Sequence, residues 1–297
     1  MTIFLFCVTI IKSIFSEEKM ELFEQGNDLI LQKTECFDLG LSLDCGQAFR
    51  WRKKEDGIWH GVVGKNALDI EQKNDKIIFY NTTKNDFEKI WKKYFDLSRD
   101  YKKITDSFSA DEYLLKATKE FYGIRVLNQE PWETVCSFII SQNNNIPRIK
   151  GIIDRLCENF GEKISDEDFA FPTSEKLAEL ETEDLAVLRA GFRAKYILDA
   201  ARKISKKEVD IEKVFSSSIE DGRAELMKIN GVGPKVAECA LLYSFEKTQA
   251  FPIDVWVKRI LSELYPNGLP ECIGEYGGIA QQYLFHWRRN SESFSNG

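Results

Sequence analysis

A chain of 297 residues, 43% hydrophobic and 30% charged, has the makeup of a folded globular protein of two or three modest domains, which excludes wholesale disorder. The net charge of -7 argues mildly against nucleic acid as a partner, although a single basic face is enough to bind phosphate. Seven scattered cysteines without a CxxC pair, and only two histidines, give little support to a disulfide framework, a structural zinc or a cysteine-bound iron–sulfur cluster, so no cofactor is expected.

Residues 2–11 form an apolar run too short to span a bilayer. Without a basic flank or a small-residue cleavage site before Glu17 and Glu18, they do not read as a signal peptide. Met20 opens a more ordinary sequence, so residues 1–19 are expected to be a non-native or disordered extension.

A β domain is expected over residues 20–104. Its strand candidates are residues 49–51, 58–63, 68–71 and 77–80, separated by KKEDG, GKN and QKND turns, which suggests an antiparallel sheet of four or five strands. From residue 105 to 297 the pattern becomes helical. Pro131 suits a first helical turn, and Asn145 can cap a helix that Pro147 begins and that ends near Gly161. Further helices are expected at residues 174–180, 182–190, 193–204, 220–229, 234–245, 255–265 and 279–289. The fold class is therefore α+β, an antiparallel sheet domain followed by two all-helical subdomains.

Within the helical part, residues 189–207 hold seven basic side chains against the single acid Asp199, which alone reads most simply as a solvated face. The most informative stretch is a helix-hairpin-helix pattern at residues 222–245, with Asn230-Gly231-Val232-Gly233 between its helices. Two glycines around an apolar residue allow positive φ and close approach of a phosphate, which the following helix N-terminus then faces. Such a unit grips the DNA backbone without reading sequence. An ordinary helical hairpin is the alternative.

Lys235 lies in the first turn of the second helix, where the positive dipole end disfavours another positive charge. A neutral amine there is a nucleophile suited to an anomeric carbon and a Schiff base; a plain phosphate contact is the alternative. Asp254, in Phe251-Pro252-Ile253-Asp254-Val255, reads as a helix N-cap. Held ionised, it can stabilise a developing oxocarbenium ion or take a proton from the lysine.

The combination GVGPKVAEC and AFPIDV closely resembles the 8-oxoguanine DNA glycosylases of the helix-hairpin-helix superfamily, and CGQAFRW, SQNNNIPRI, AGFRAKY and IAQQYLFHW match in the expected order, covering about residues 20–290. The resemblance implies a bifunctional enzyme acting on double-stranded DNA, which removes 8-oxoguanine and nicks the abasic site. It implies Lys235 as catalytic lysine and Asp254 as catalytic aspartate. The carbonyl of Gly46 would read the N7 proton of the lesion. Cys239 and Phe285 would sandwich the flipped base, and Gln281 would bond its edge. Asn143 would fill the gap left in the stack, while Arg148 and Arg193 hold the orphan cytosine. Gly231 and Gly233 would face phosphate. The carbonyls of Met227, Ile229 and Val232 would suit a monovalent cation, with no catalytic metal implied.

Three positions depart from the family pattern. Glu238 stands for an aspartate, Trp256 for a phosphate-contacting histidine, and Phe192 for a tyrosine wedge at the lesion. A non-catalytic helix-hairpin-helix module and a glycosylase for another base are the competing readings. The first leaves the Lys235/Asp254 pair unexplained, and an endonuclease III type would usually bring four closely spaced cysteines. A monomer with no membrane association is expected, in the cytoplasm near the nucleoid of a prokaryote or the nucleus of a eukaryote.

Overall fold

The computed structural model describes residues 21–32 and 35–290, so the expectation for residues 1–19 lies outside the described residues. The chain is α+β, with a six-stranded antiparallel sheet followed by helices. The strands are β1 (Leu22–Gln25), β2 (Asp28–Gln32), β3 (Trp51–Lys53), β4 (Trp59–Val63), β5 (Asn66–Lys73) and β6 (Lys76–Phe79), in the spatial order β1-β2-β6-β5-β4-β3. Six strands correct the expected four or five. The two additional ones form a hairpin turning at Gly26 (φ +63°), which docks on β6 with Leu29 opposite Phe79. Phe49 and Arg50 precede β3 rather than belonging to it.

One face of the sheet packs against the segment after β6. Phe79 meets Phe87 edge-on at 5.2 Å and Phe95 at 6.0 Å. Trp51 lies over Gly61 so closely that a Cβ there would fall 2.4 Å from the indole, and its N–H donates to the Tyr94 hydroxyl at 2.7 Å.

The helices that carry the site are α1 (Pro131–Ser141), α2 (Ile146–Phe160), α3 (Ala194–Ser205), α4 (Ile219–Leu226), α5 (Pro234–Ser244), α6 (Val255–Leu264) and α7 (Gly277–Asn290). Pro131 and Asn145 start α1 and α2 as expected, the Asn145 side chain accepting from the Arg148 N–H. The helix expected at 182–190 is instead a short 3-10 turn, Asp184–Leu188, closed by Arg189 in the left-handed region. The last turn expected of the helix at 220–229 is spent on the hairpin, since α4 ends at Leu226.

Polar contacts fasten the sheet to the helices. The Arg52 guanidinium bonds both carboxylate oxygens of Asp154 at 2.8 Å, and Lys150 donates to the Trp51 carbonyl at 2.9 Å. His60 bridges Asp69 at 2.7 Å and Asp168 at 2.8 Å. Arg50 pairs with Glu133 of α1 at 3.4 Å.

Burial pushes the Glu133 carboxyl from the usual 4.5 up to about 7, with Arg50 opposing and Glu130 adding to the rise. A carboxyl raised in the fold contributes stability that is fully present below its unfolded pKa and is lost as pH climbs through the folded one. Melting temperature should therefore fall between about pH 5 and 8 more steeply for the wild type than for Glu133→Gln. Parallel melting curves for the two proteins would remove Glu133 as the cause.

Candidate active site and neighbouring loops

Lys235 follows Pro234 in the first turn of α5, behind the hairpin turn. Gly231 has φ +82°, and a Cβ on it would fall 2.5 Å from the Tyr196 ring, so both its conformation and its neighbour demand glycine. Gly233 corrects the expectation of two positive-φ glycines. Its backbone is extended (φ -97°, ψ -178°), which any residue adopts, and no atom lies within 4 Å of where a Cβ would be. Open space, rather than backbone freedom, is what this glycine provides. Asn230 fastens the turn to α3 through two bonds to Asp199, at 2.7 and 2.8 Å.

The Lys235 ammonium is half-buried, with Nζ 5.1 Å from the centre of the Phe138 ring on α1. That ring stacks on Tyr243 at 5.3 Å and 15°. Cys239, one turn after Lys235, is 3% exposed; burial pushes its thiol up to about 11, with the adjacent Lys235 opposing the rise. Lys235, Cys239 and Tyr243 thus recur every four residues along one face of α5.

Asp254 is the N-cap of α6, its carboxylate accepting from the Val257 N–H at 2.8 Å. The segment leading to it is tied to α5 by Glu238, which accepts from the Phe251 N–H at 2.7 Å and from Arg223 of α4 at 2.5 Å. The longer acid at position 238 therefore links the hairpin and the Asp254 loop together. Asp254 is also close enough to Cys239 to help raise its thiol.

Gly46 sits with φ +84° in a loop braced by Gln47. The fully buried Gln47 amide donates to the carbonyls of Ser42 (2.8 Å) and Arg125 (2.7 Å) and accepts from the Leu127 N–H (2.9 Å). Gln129 joins this brace to α5: its side-chain Nε2 donates to the Gln47 carbonyl at 2.8 Å, and its backbone N–H donates to the Tyr243 carbonyl at 2.7 Å. Gln281 and Phe285 share a face of α7, with Gln281 5% exposed and Phe285 half-buried. Cys239 and Gln281 are thus closed off in the free protein, and a base can reach both only if the surrounding side chains part.

Asn143, on the loop entering α2, and Arg148, in the first turn of α2, are exposed, Asn143 in the left-handed region at φ +47°. Arg193 is near enough to Arg148 for that charge, after burial, to lower its pKa. It is also 3% exposed and committed to the protein: Nε and Nη2 donate to the Gln142 carbonyl, Nη2 to Asn143 and Nη1 to Ala190. Those four bonds, set against five N–H donors, leave one Nη1 hydrogen for a ligand. Arg193 is accordingly a brace for the Asn143 loop before it is a contact for any base.

Phe192 is 51% exposed beside it, with the Arg193 guanidinium 4.4 Å from its ring centre. Trp256 is 38% exposed on the first turn of α6, and Arg259 lies 5.5 Å from its ring, bringing to that position the positive charge an indole lacks. The basic run at 189–207 is only partly a solvated face. Arg202 donates to the Leu180 carbonyl and Lys203 to that of Lys228, whereas Arg189, Lys195, Lys206 and Lys207 are exposed.

Sequence reading missed Phe138, Tyr243 and Gln282, the last bonded to Tyr243 and Gln281. Tyr243 was within reach, two turns after Lys235 on one face; Phe138 carries no signal separating it from its apolar neighbours. Among the described residues, no group of three or more His, Cys, Asp or Glu side chains could hold a metal, and no helix is long and apolar enough to cross a membrane.

Residues 29–135 match the 8-oxoguanine DNA glycosylase N-terminal domain, and residues 136–269 match the HhH-GPD superfamily of base excision DNA repair proteins. An N-glycosylase/DNA lyase of Saccharomyces cerevisiae is 36% identical over 278 residues, covering 80% of this chain and 72% of the yeast protein. The 8-oxoguanine glycosylase/lyase of Clostridium acetobutylicum in its apo-form superposes with a TM-score of 0.85 at 37% identity, over 90% of this chain and 99% of that one. The same enzyme in complex with double-stranded DNA containing cytosine opposite to 8-oxoguanine matches equally well, with a TM-score of 0.85 over 91% and 97% of the two chains. The chain belongs to the 8-oxoguanine DNA glycosylase/lyase family, helix-hairpin-helix DNA-binding enzymes of base excision repair.

Proposed function

We propose that this enzyme excises 8-oxoguanine opposite cytosine from double-stranded DNA by forming a Schiff base on Lys235. The observation that carries this reading is the site on α5: an amine directly behind the glycine hairpin turn, one turn before Cys239, with the Asp254 loop tied to the same helix through Glu238. The Lys235 amine attacks C1′, and the base leaves with the bonding electrons and takes up a proton. Asp254 offsets the positive charge that develops on the sugar. Ring opening gives the Schiff base, loss of a C2′ proton expels the 3′ phosphate, and hydrolysis frees the lysine.

The Gly46 carbonyl selects the lesion because 8-oxoguanine carries a donor at N7 where guanine has an acceptor. Cys239, Phe285 and Gln281 receive the flipped base. Asn143 fills the gap, with Phe192 wedged beside it. Arg148 and the remaining donor of Arg193 suit the O2 and N3 acceptors of cytosine and disfavour the amino group of adenine. Gly231 and Gly233 receive phosphate at the hairpin, as does Trp256 with Arg259. A monovalent cation on the carbonyls of Met227, Ile229 and Val232 would extend that grip. The enzyme works as a monomer wherever chromosomal DNA lies, the prokaryotic cytoplasm or the eukaryotic nucleus.

Single-turnover excision from duplexes carrying each of the four bases opposite 8-oxoguanine tests the pairing preference. Cytosine should be fastest, exceeding adenine by about tenfold or more, the scale of one base-specific polar contact. Equal rates with cytosine and adenine would contradict the roles given to Arg148 and Arg193.

A further inference from the structure

The carboxamide of Gln282, on α7 beside Gln281, is 3% exposed. Its Nε2 uses both hydrogens, one on the Tyr243 hydroxyl and one on Oε1 of Gln281 at 2.9 Å. Its Oε1 is buried without a hydrogen-bond partner. Leaving a buried carbonyl oxygen unpaired is costly, and a ligand that donates to it would remove that cost. The Tyr243 ring stacks on Phe138, under the Lys235 amine, so this amide pair stands at the inner end of the face formed by Lys235, Cys239 and Tyr243.

We infer that Gln282 is a second base-reading residue, whose Oε1 accepts a hydrogen bond from the 2-amino group of the extruded 8-oxoguanine. This rests on the proposed function of the same pocket and adds to it. The Watson–Crick edge of the lesion runs acceptor O6, donor N1–H, donor 2-amino. Gln281 presents the carboxamide next to this group, its Oε1 accepting from Gln282 Nε2 at 2.9 Å, and the unpaired Oε1 of Gln282 lies beyond that bond as a further acceptor. Because Gln282 donates to Gln281 and to Tyr243, neither of its own hydrogens is left for the base, and its oxygen is the group it can offer. Tyr243 is a positioning residue here, holding the Gln282 amide in the orientation that presents oxygen.

The test compares wild type and Gln282→Met on duplexes with 8-oxoguanine or 8-oxohypoxanthine opposite cytosine. The second base lacks only the 2-amino group. Wild type should excise 8-oxoguanine about tenfold faster in kcat/KM, and Gln282→Met should lose about tenfold on 8-oxoguanine but little on 8-oxohypoxanthine. Taking the ratio between proteins cancels the difference in duplex stability. Binding of a duplex with a tetrahydrofuran abasic analogue, which has no base, should be unchanged in the variant. If Gln282→Met does not fold, Tyr243→Phe should lower the same discrimination while retaining the ring stack. Equal losses on both bases, or no discrimination by wild type, would overturn the inference and leave 8-oxoguanine excision intact. Failure of wild type to release either base would instead overturn the proposed function with it.

Discussion

Replacing Lys235 with Gln is expected to slow release of 8-oxoguanine by about three orders of magnitude, roughly 4 kcal/mol of transition-state stabilisation, and to abolish strand nicking. The side chain stands at the start of α5 against the Phe138 ring and next to the Cys239 thiol, and Gln keeps its approximate length there without a nucleophilic amine. The hairpin turn is fixed by Gly231 against Tyr196 and by Asn230 on Asp199, neither of which the substitution touches. Affinity for duplex containing 8-oxoguanine should therefore stay within a few-fold of wild type. An equal loss of binding and turnover would make Lys235 a DNA contact, the reading its sequence position alone also allows.

Asp254→Asn should slow the same step by about two to three orders of magnitude, since a fixed charge facing a developing cation acts where water is excluded. Asparagine caps a helix as well as aspartate does. The bond from the Val257 N–H can survive, so α6 should remain in place and melting temperature should change little. The variant thus separates the charge of the carboxylate from its role in the fold. A rate close to wild type would show that Asp254 serves only as a cap. Loss of folding as well as activity would show that the cap cannot tolerate the amide, and Asp254→Ser would then have to supply the comparison.

Much of this arrangement is legible in the chain because local rules fix it. Pro131, Asn145, Pro234 and Asp254 each begin a helix for reasons confined to three or four residues, and all four helices start as expected. The proposed nucleophile, Lys235, and its proposed partner, Asp254, follow from such rules together with the family resemblance. The features that escaped depend on neighbours distant in sequence. β2 is a nearly continuous apolar strand whose partner β6 lies some fifty residues away, so no alternation announces it. Arg193 reads as a cation in a basic run and, by resemblance, as a contact for the orphan cytosine, and its bracing role emerges only when the loop at Gln142 and Asn143 folds over its guanidinium. Glu238 reads as a variation on an aspartate, yet its carboxylate meets Arg223 and Phe251 only when three separate segments assemble. The Gln282–Tyr243 bond likewise joins α7 to α5 across 39 residues.

The central claim is that Lys235 becomes covalently attached to the sugar. Borohydride reduction during turnover on a duplex with 8-oxoguanine opposite cytosine, followed by proteolysis and mass spectrometry, tests it most directly. The account predicts one DNA-modified peptide, with the reduced sugar on Lys235, and no adduct from Lys235→Gln. An adduct on another lysine, or trapping that persists in the variant, would contradict it.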